Sequence, residues 1–165
     1  MPPNIRPTRR EFLKRTAAAG ALASLPVSAK AGLKRQVRPV AIATWNNQAA
    51  LEAAWNVLVG NGHALDAVEQ GVHVPEADPN DRSVGLGGHP DRDGRVTLDS
   101  CIMDEQFRCG SVAAIEDILH PVSVARKVME ETPHVMLVGD GAKQFALEHG
   151  FEATNLLTEQ SEREW

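Results

Sequence analysis

The 165-residue sequence contains no tyrosine, only three tryptophans and four phenylalanines, and just two cysteines, Cys101 and Cys109. A disulfide-dense scaffold is thereby excluded, and so is a core built mainly on aromatic rings. No apolar run reaches the roughly 18 to 20 residues that span a bilayer, which argues against an integral membrane protein. Excess positive charge is missing too: 17 Lys and Arg stand against 22 Asp and Glu, a net charge of −5. That balance argues against the clustered basic footprint that nucleic acid requires. Motifs for several common chemistries are also absent. There is no Gly-x-Ser-x-Gly turn for a nucleophilic serine, and Gly139-Asp140-Gly141-Ala142 lacks the Lys-Ser/Thr ending of a phosphate loop. None of the six histidines (63, 73, 89, 120, 134, 149) forms an HxxxH pair or lies within three residues of a cysteine. A bound metal is therefore not expected. What remains, 24% charged and 42% apolar residues, describes one ordinary globular domain at most.

Charge is unevenly spread along the chain. Residues 1–31 hold Arg6, Arg9, Arg10, Lys14, Arg15 and Lys30 with one acid, Glu11, followed by the weakly apolar stretch Ala17 to Val27 and small residues around Ala29-Lys30-Ala31. Thr8-Arg9-Arg10-Glu11-Phe12-Leu13-Lys14 reads as a twin-arginine export signal, which places the protein in the periplasm or outside the cell. Taking those six bases and one acid away from 17 and 22 leaves 11 and 21, a net charge of −10 for the domain at 32–165. Such acidity disfavours nucleic acid and anionic membrane surfaces as partners.

Along that domain, Val37 to Thr44 is apolar and rich in β-branched residues, as a buried first strand would be. Ala49, Leu51, Ala54, Trp55, Leu58 and Val59 recur at helical spacing, predicting a helix over 47–59 with a stop at Gly60-Asn61-Gly62. A second helix is predicted over 64–74, ending before Pro75. Residues 75–95, rich in Pro, Gly and Asp, must be a loop of about 20 residues, long enough to suggest that Ser83-Val84-Gly85-Leu86-Gly87-Gly88 walls a site. Asp91, Asp93 and Asp99 alternate with Arg92 and Arg95, a pattern of turn chemistry more than of a carboxylate site.

A hairpin is predicted from Arg95–Met103 and Cys109–Ile115 around a polar turn. With Asp104–Phe107 as the loop, Cys101 faces Gly110 and the two thiols point to opposite sides, whereas a one-residue shift of register would bring them together. A Cys101–Cys109 disulfide and two unpaired thiols both remain open. Further on, a helix opens at Pro121 and Ser123 and stops at Thr132-Pro133, a strand covers 134–138, a helix covers 142–148 after a glycine turn, and a polar tail follows. His63, His120 and His149 sit beside helix ends, where a surface or capping role is expected. By residue type alone, Trp45 reads as a core aromatic and Ser83 as a turn residue. The alternation of helices with strands indicates an α/β fold.

Ala43-Thr44-Trp45-Asn46, Gly62-His63-Ala64-Leu65-Asp66-Ala67-Val68-Glu69, the run Asp78 to Gly88, the run Asp91 to Asp104 and the run Thr132 to Ala142 together resemble the α-subunit of the bacterial glycosylasparaginases, over about 37–165. Ile42-Ala43-Thr44-Trp45-Asn46 stands where plant-type asparaginases carry a His-Gly-Gly-Ala-Gly signature. The resemblance implies an N-terminal-nucleophile hydrolase with an αββα sandwich, of which only the α-subunit half is present here. It further implies a precursor that cuts itself before a Thr, and hydrolysis of the amide between N-acetylglucosamine and the asparagine side chain without a cofactor. It assigns Trp45 and Ser83 to the substrate pocket and makes a β-subunit the partner, with pairs of αβ heterodimers as the family precedent. None of the threonines is preceded by Asp, so no catalytic residue is assigned, the nucleophile is expected beyond Trp165, and the chain is expected to be an inactive N-terminal part. An isoaspartyl peptidase or asparaginase of the same superfamily, and a non-catalytic module binding an aspartyl or sugar ligand, are the alternatives.

Overall fold

The computed structural model describes residues 38–165; the export signal expected at 1–31 lies outside them. The element order is α1 (Gln48–Val59), α2 (Ala64–Ala77), β1 (Thr97–Met103), β2 (Cys109–Glu116), α3 (Pro121–Glu131), β3 (Met136–Val138), α4 (Gly139–Glu148) and α5 (Glu159–Glu164). The three strands form one sheet in the order β1-β2-β3, with β1 antiparallel and β3 parallel to β2. β2, α3 and β3 therefore make a crossover unit in which the helix covers the sheet.

The core lies between α3 and the sheet. Val122, Val124, Ala125, Val128 and Met129 form the buried stripe of α3, and Leu98, Ile102, Val112 and Ile115 rise to meet it from β1 and β2. At Gly110 the helix and strand backbones come so close that a Cβ there would stand 2.0 Å from the Ala125 carbonyl oxygen. Val96, Ile118, Leu65 of α2, Ala142 and Ala146 of α4, and Leu156 of the tail complete the cluster. The α1 helix is peripheral: it starts at Asn47, whose side chain accepts the Ala50 N–H at 2.9 Å, and it buries no residue fully.

Side chains alternate across the pleat, so the register divides the sheet into two unlike faces. Ile102 opposite Gly110, with Val112 and Leu137, faces α3. Cys101 opposite Ser111, Met103 opposite Cys109, and then Ala113, Met136 and Val138 share the other face. That second face is bare, with Met103, Met136 and Val138 exposed by 57%, 54% and 56%.

Several boundaries differ from those read in the sequence. Residues 38–44 form no strand, and Val40 and Ile42 are 72% and 86% exposed, because a strand exists only where another backbone answers its N–H and C=O groups. The α2 helix runs through Pro75 to Ala77, held there by bonds that Glu76 makes to α3. The hairpin register is shifted by one residue: Met103 pairs with Cys109, leaving Asp104–Arg108 as the loop. Asp104 closes it by accepting the N–H groups of Gln106 and Arg108, both at 2.9 Å, and the Arg108 Nε at 2.6 Å. In this register the cysteines lie on the same face, diagonal to one another, and both are free thiols. Instead of a glycine turn before α4, the helix starts directly at Gly139, and the polar tail contains α5, capped by Thr158.

Candidate functional site

The glycine-rich loop is shaped by its neighbours on both sides. Leu86 N–H donates to the Glu76 carbonyl at 2.8 Å. Gly85 has φ +58, and a Cβ there would overlap that same carbonyl at 1.9 Å, so only glycine fits. From the other side, Gly87 N–H donates to the Leu156 carbonyl at 2.8 Å, and the Gly87 carbonyl accepts both the fully buried Ser161 hydroxyl and Arg82 Nε at 2.7 Å. Arg82 also pairs with Glu164 at 2.7 Å, while its second terminal nitrogen is buried without a partner.

Ser83 stands on this frame. Its hydroxyl donates to Asp81 Oδ1 at 2.6 Å, and the same oxygen accepts the Ser83 N–H at 3.1 Å. An open groove runs past it, lined by Asp78, Asn80, Asp81, Arg82, Ser83 and His89. The hydroxyl is thus oriented by a carboxylate at the wall of a polar depression. Trp45 is placed differently: it sits at the bend before α1, 83% exposed, and it is not among the residues lining that groove. It is therefore no core aromatic, and these residues do not by themselves bring Trp45 and Ser83 into one pocket.

Asp91 behaves as a turn residue, its Oδ1 accepting the N–H groups of Asp93 at 2.8 Å and Arg95 at 2.9 Å. Asp99 of the same cluster instead accepts the Ala114 N–H at a bulge in the hairpin. Two of the terminal histidines cap as expected: His63 Nδ1 accepts the Leu65 N–H at 3.3 Å, and His149 Nδ1 bonds the Phe145 carbonyl at 2.8 Å. His120 does not cap through its own side chain. The first turn of α3 is capped instead by Glu76, whose Oε1 accepts the Val122 N–H at 3.2 Å while Oε2 lies 3.0 Å from His120 Nδ1.

Glu76 belongs to a polar cluster between α2 and α3 that sequence spacing did not reveal. The His73 and His120 rings stack with centroids 4.1 Å apart. His73 Nε2 lies 2.7 Å from Ser123 Oγ, and that hydroxyl donates to Glu69 at 2.5 Å. Arg126 closes the network on Asp66 and Glu69, each at 2.7 Å, and on Glu130 at 2.8 Å. Burial pushes the Glu76 carboxyl up to about 8, against the pull of the Val122 N–H and with the Glu69 charge adding to the rise. Burial also lowers the pKa of His73 and, together with its neighbour His73, that of His120, while the Glu69 charge opposes both shifts. The available signal was a His-x-x-Glu spacing on one helix face; His120 lies 44 residues further on, and only the packing of α3 on α2 delivers it.

Comparison with known proteins defines the class. The asparaginase family profile matches residues 27–165, and the chain belongs to that family. Among its relatives, the N(4)-(β-N-acetylglucosaminyl)-L-asparaginase of Elizabethkingia miricola is 56% identical over 164 residues, covering 95% of this chain and 48% of that protein. The enzymes of the same name from Rattus norvegicus and Mus musculus are each 44% identical over 124 residues, covering 74% of this chain and 36% of theirs. The chain thus spans half or less of the length of these relatives.

Proposed function

We infer that this chain forms the α-subunit part of an exported glycosylasparaginase, an N-terminal-nucleophile amidohydrolase acting on the bond between N-acetylglucosamine and the asparagine side chain. The observation that carries this reading is the 56% identity to the Elizabethkingia miricola enzyme over 95% of this chain. The bare sheet face supports the αββα form of the proposal. Apolar Met103, Met136 and Val138 on one side of a sheet suit the inner surface of a sandwich whose second sheet comes from sequence outside these 165 residues. The exposed stretch 38–44 suits a strand that awaits a partner in the same assembly.

In the proposed reaction a Thr hydroxyl from the β-subunit attacks the side-chain amide carbonyl, with the Thr α-amino group, whose ordinary pKa is near 8, as base. The glycosylamine leaves, and water then releases aspartate from the ester. Ser83 would contribute its oriented hydroxyl to the substrate wall, and Trp45 would close the pocket from the bend before α1 once the second half is docked. The twin-arginine segment would carry the folded protein across the inner membrane.

An assay with a chromogenic aspartyl amide tests the division of labour. The 165-residue chain by itself is expected to give no turnover, and a protein that adds the second half is expected to give it; turnover by the chain alone sinks the proposal. Running glycosylated asparagine against β-aspartyl dipeptides on the assembled protein separates glycosylasparaginase from isoaspartyl peptidase specificity.

A further inference from the structure

The cluster between α2 and α3 has the composition and convergence of a metal site. His73 and Glu76 lie one helical turn apart on α2, and His120 enters from the start of α3, so that one donor atom from each lies within 4.8 Å of the others. We propose that His73, Glu76 and His120 bind a divalent transition-metal ion of the zinc type, with solvent completing its coordination, and that the ion staples α2 to α3.

Three further features of the cluster support this. Its charge is one-sided: four carboxylates, Asp66, Glu69, Glu76 and Glu130, face the single guanidinium of Arg126, whose bonds run to Asp66, Glu69 and Glu130, so that among the described residues the Glu76 side chain is met only by His120 Nδ1 at 3.0 Å and the Val122 N–H at 3.2 Å. Glu76 is nevertheless only 3% exposed, and a buried carboxylate is stable only when paired, protonated or metal-bound. A second partner already orients one imidazole, since Ser123, fixed by Glu69, holds His73 Nε2; such outer hydrogen bonds set the ring angle of ligating histidines. Finally, two histidines and a carboxylate with an open position is a known zinc donor set.

Bond lengths of about 2 Å put tetrahedral donors about 3.3 Å apart, so donors that lie within 4.8 Å of one another need a contraction of at most about 1.5 Å. Both imidazoles are partly exposed and can supply it by leaving their stacked arrangement. The consequence would reach the glycine loop, because the Glu76 carbonyl holds Leu86 N–H.

The test is titration of the chelator-treated full chain with zinc by calorimetry and with Co²⁺ by visible absorption. Saturable 1:1 binding with intense tetrahedral cobalt bands is expected. Glu76→Gln and His120→Gln should each weaken it at least tenfold, while His63→Gln, remote in the α1–α2 turn beside Glu105, should leave it unchanged. Should either variant fail to fold, imidazole ¹H–¹⁵N spectra of the unaltered chain decide, because zinc must shift the His73 and His120 resonances. No saturable binding, binding indifferent to both variants, loss in His63→Gln, or unmoved His73 and His120 signals would each overturn the proposal.

Discussion

At the scale of single residues, the decisive positions are those where an atom has no alternative environment. Gly110 is one. A methyl group there would meet the Ala125 carbonyl at 2.0 Å and the Met129 backbone nitrogen at 2.6 Å, both parts of a helix that cannot retreat without opening the core. Gly110→Ala is expected to cost about 3 kcal/mol, at the upper end of overpacking losses, and a denaturant midpoint equal to that of the parent chain would refute the close approach. Glu76 is another. Its carboxyl binds a proton more tightly when folded, with a pKa raised to about 8, so its contribution to stability is present below the unfolded carboxylate range and is lost as pH rises toward 8. His73 and His120 act in the opposite sense. Their lowered pKa values make stability fall as pH drops below the ordinary imidazole range. In metal-free protein, stability above pH 6.5 should therefore decline with a slope of up to about 1.4 kcal/mol per pH unit until pH 8. Glu76→Gln should flatten that decline, as read by urea unfolding across the range.

At the scale of elements, the loop carrying Ser83 depends on a short helix far along the chain. α5 has only six residues and could not persist alone; it is held by Ser161 and Glu164, which reach Gly87 and Arg82. Removing the Ser161 hydroxyl deletes one of the two donors on the Gly87 carbonyl. Ser161→Ala should cost about 1 kcal/mol and raise amide hydrogen exchange at Leu86 and Gly87 without changing exchange in β1 or β2. Uniform acceleration across the sheet would instead place α5 in the global folding unit. The same coupling explains why Ser83 could be singled out by resemblance while its supports could not. The Asp81 bond lies two residues away, whereas Ser161 lies 74 residues from Gly87.

At the scale of the whole molecule, the sheet is covered on one face and bare on the other. One face carries α3 and a closed core; the other presents Met103, Met136 and Val138 beside the two free thiols. The isolated chain should bind a hydrophobic dye and self-associate as concentration rises. Met136→Lys with Val138→Lys should reduce both effects and, under the proposed division into two subunits, should also abolish turnover when the proposed second subunit is supplied. A double variant that restores solubility and leaves turnover intact would show that this face does not meet the other half.

Much of the architecture was legible in order. Helix spacing located α1, α2 and α3, since an apolar stripe at 3.6-residue period must be buried wherever the helix goes. The Pro- and Gly-rich stretch was recognisable as loop because its residues cannot propagate a ladder, and the run of motifs identified the family. Tertiary packing decided the rest. The hairpin register followed from Asp104 closing a five-residue turn, the exposure of 38–44 from the lack of a neighbouring strand, and the His73, Glu76 and His120 cluster from α3 docking on α2. Periodicity and turn chemistry are local and can be read from adjacent letters. Pairing, burial and the meeting of distant polar groups depend on which surfaces find one another, and that is settled only when the chain is folded.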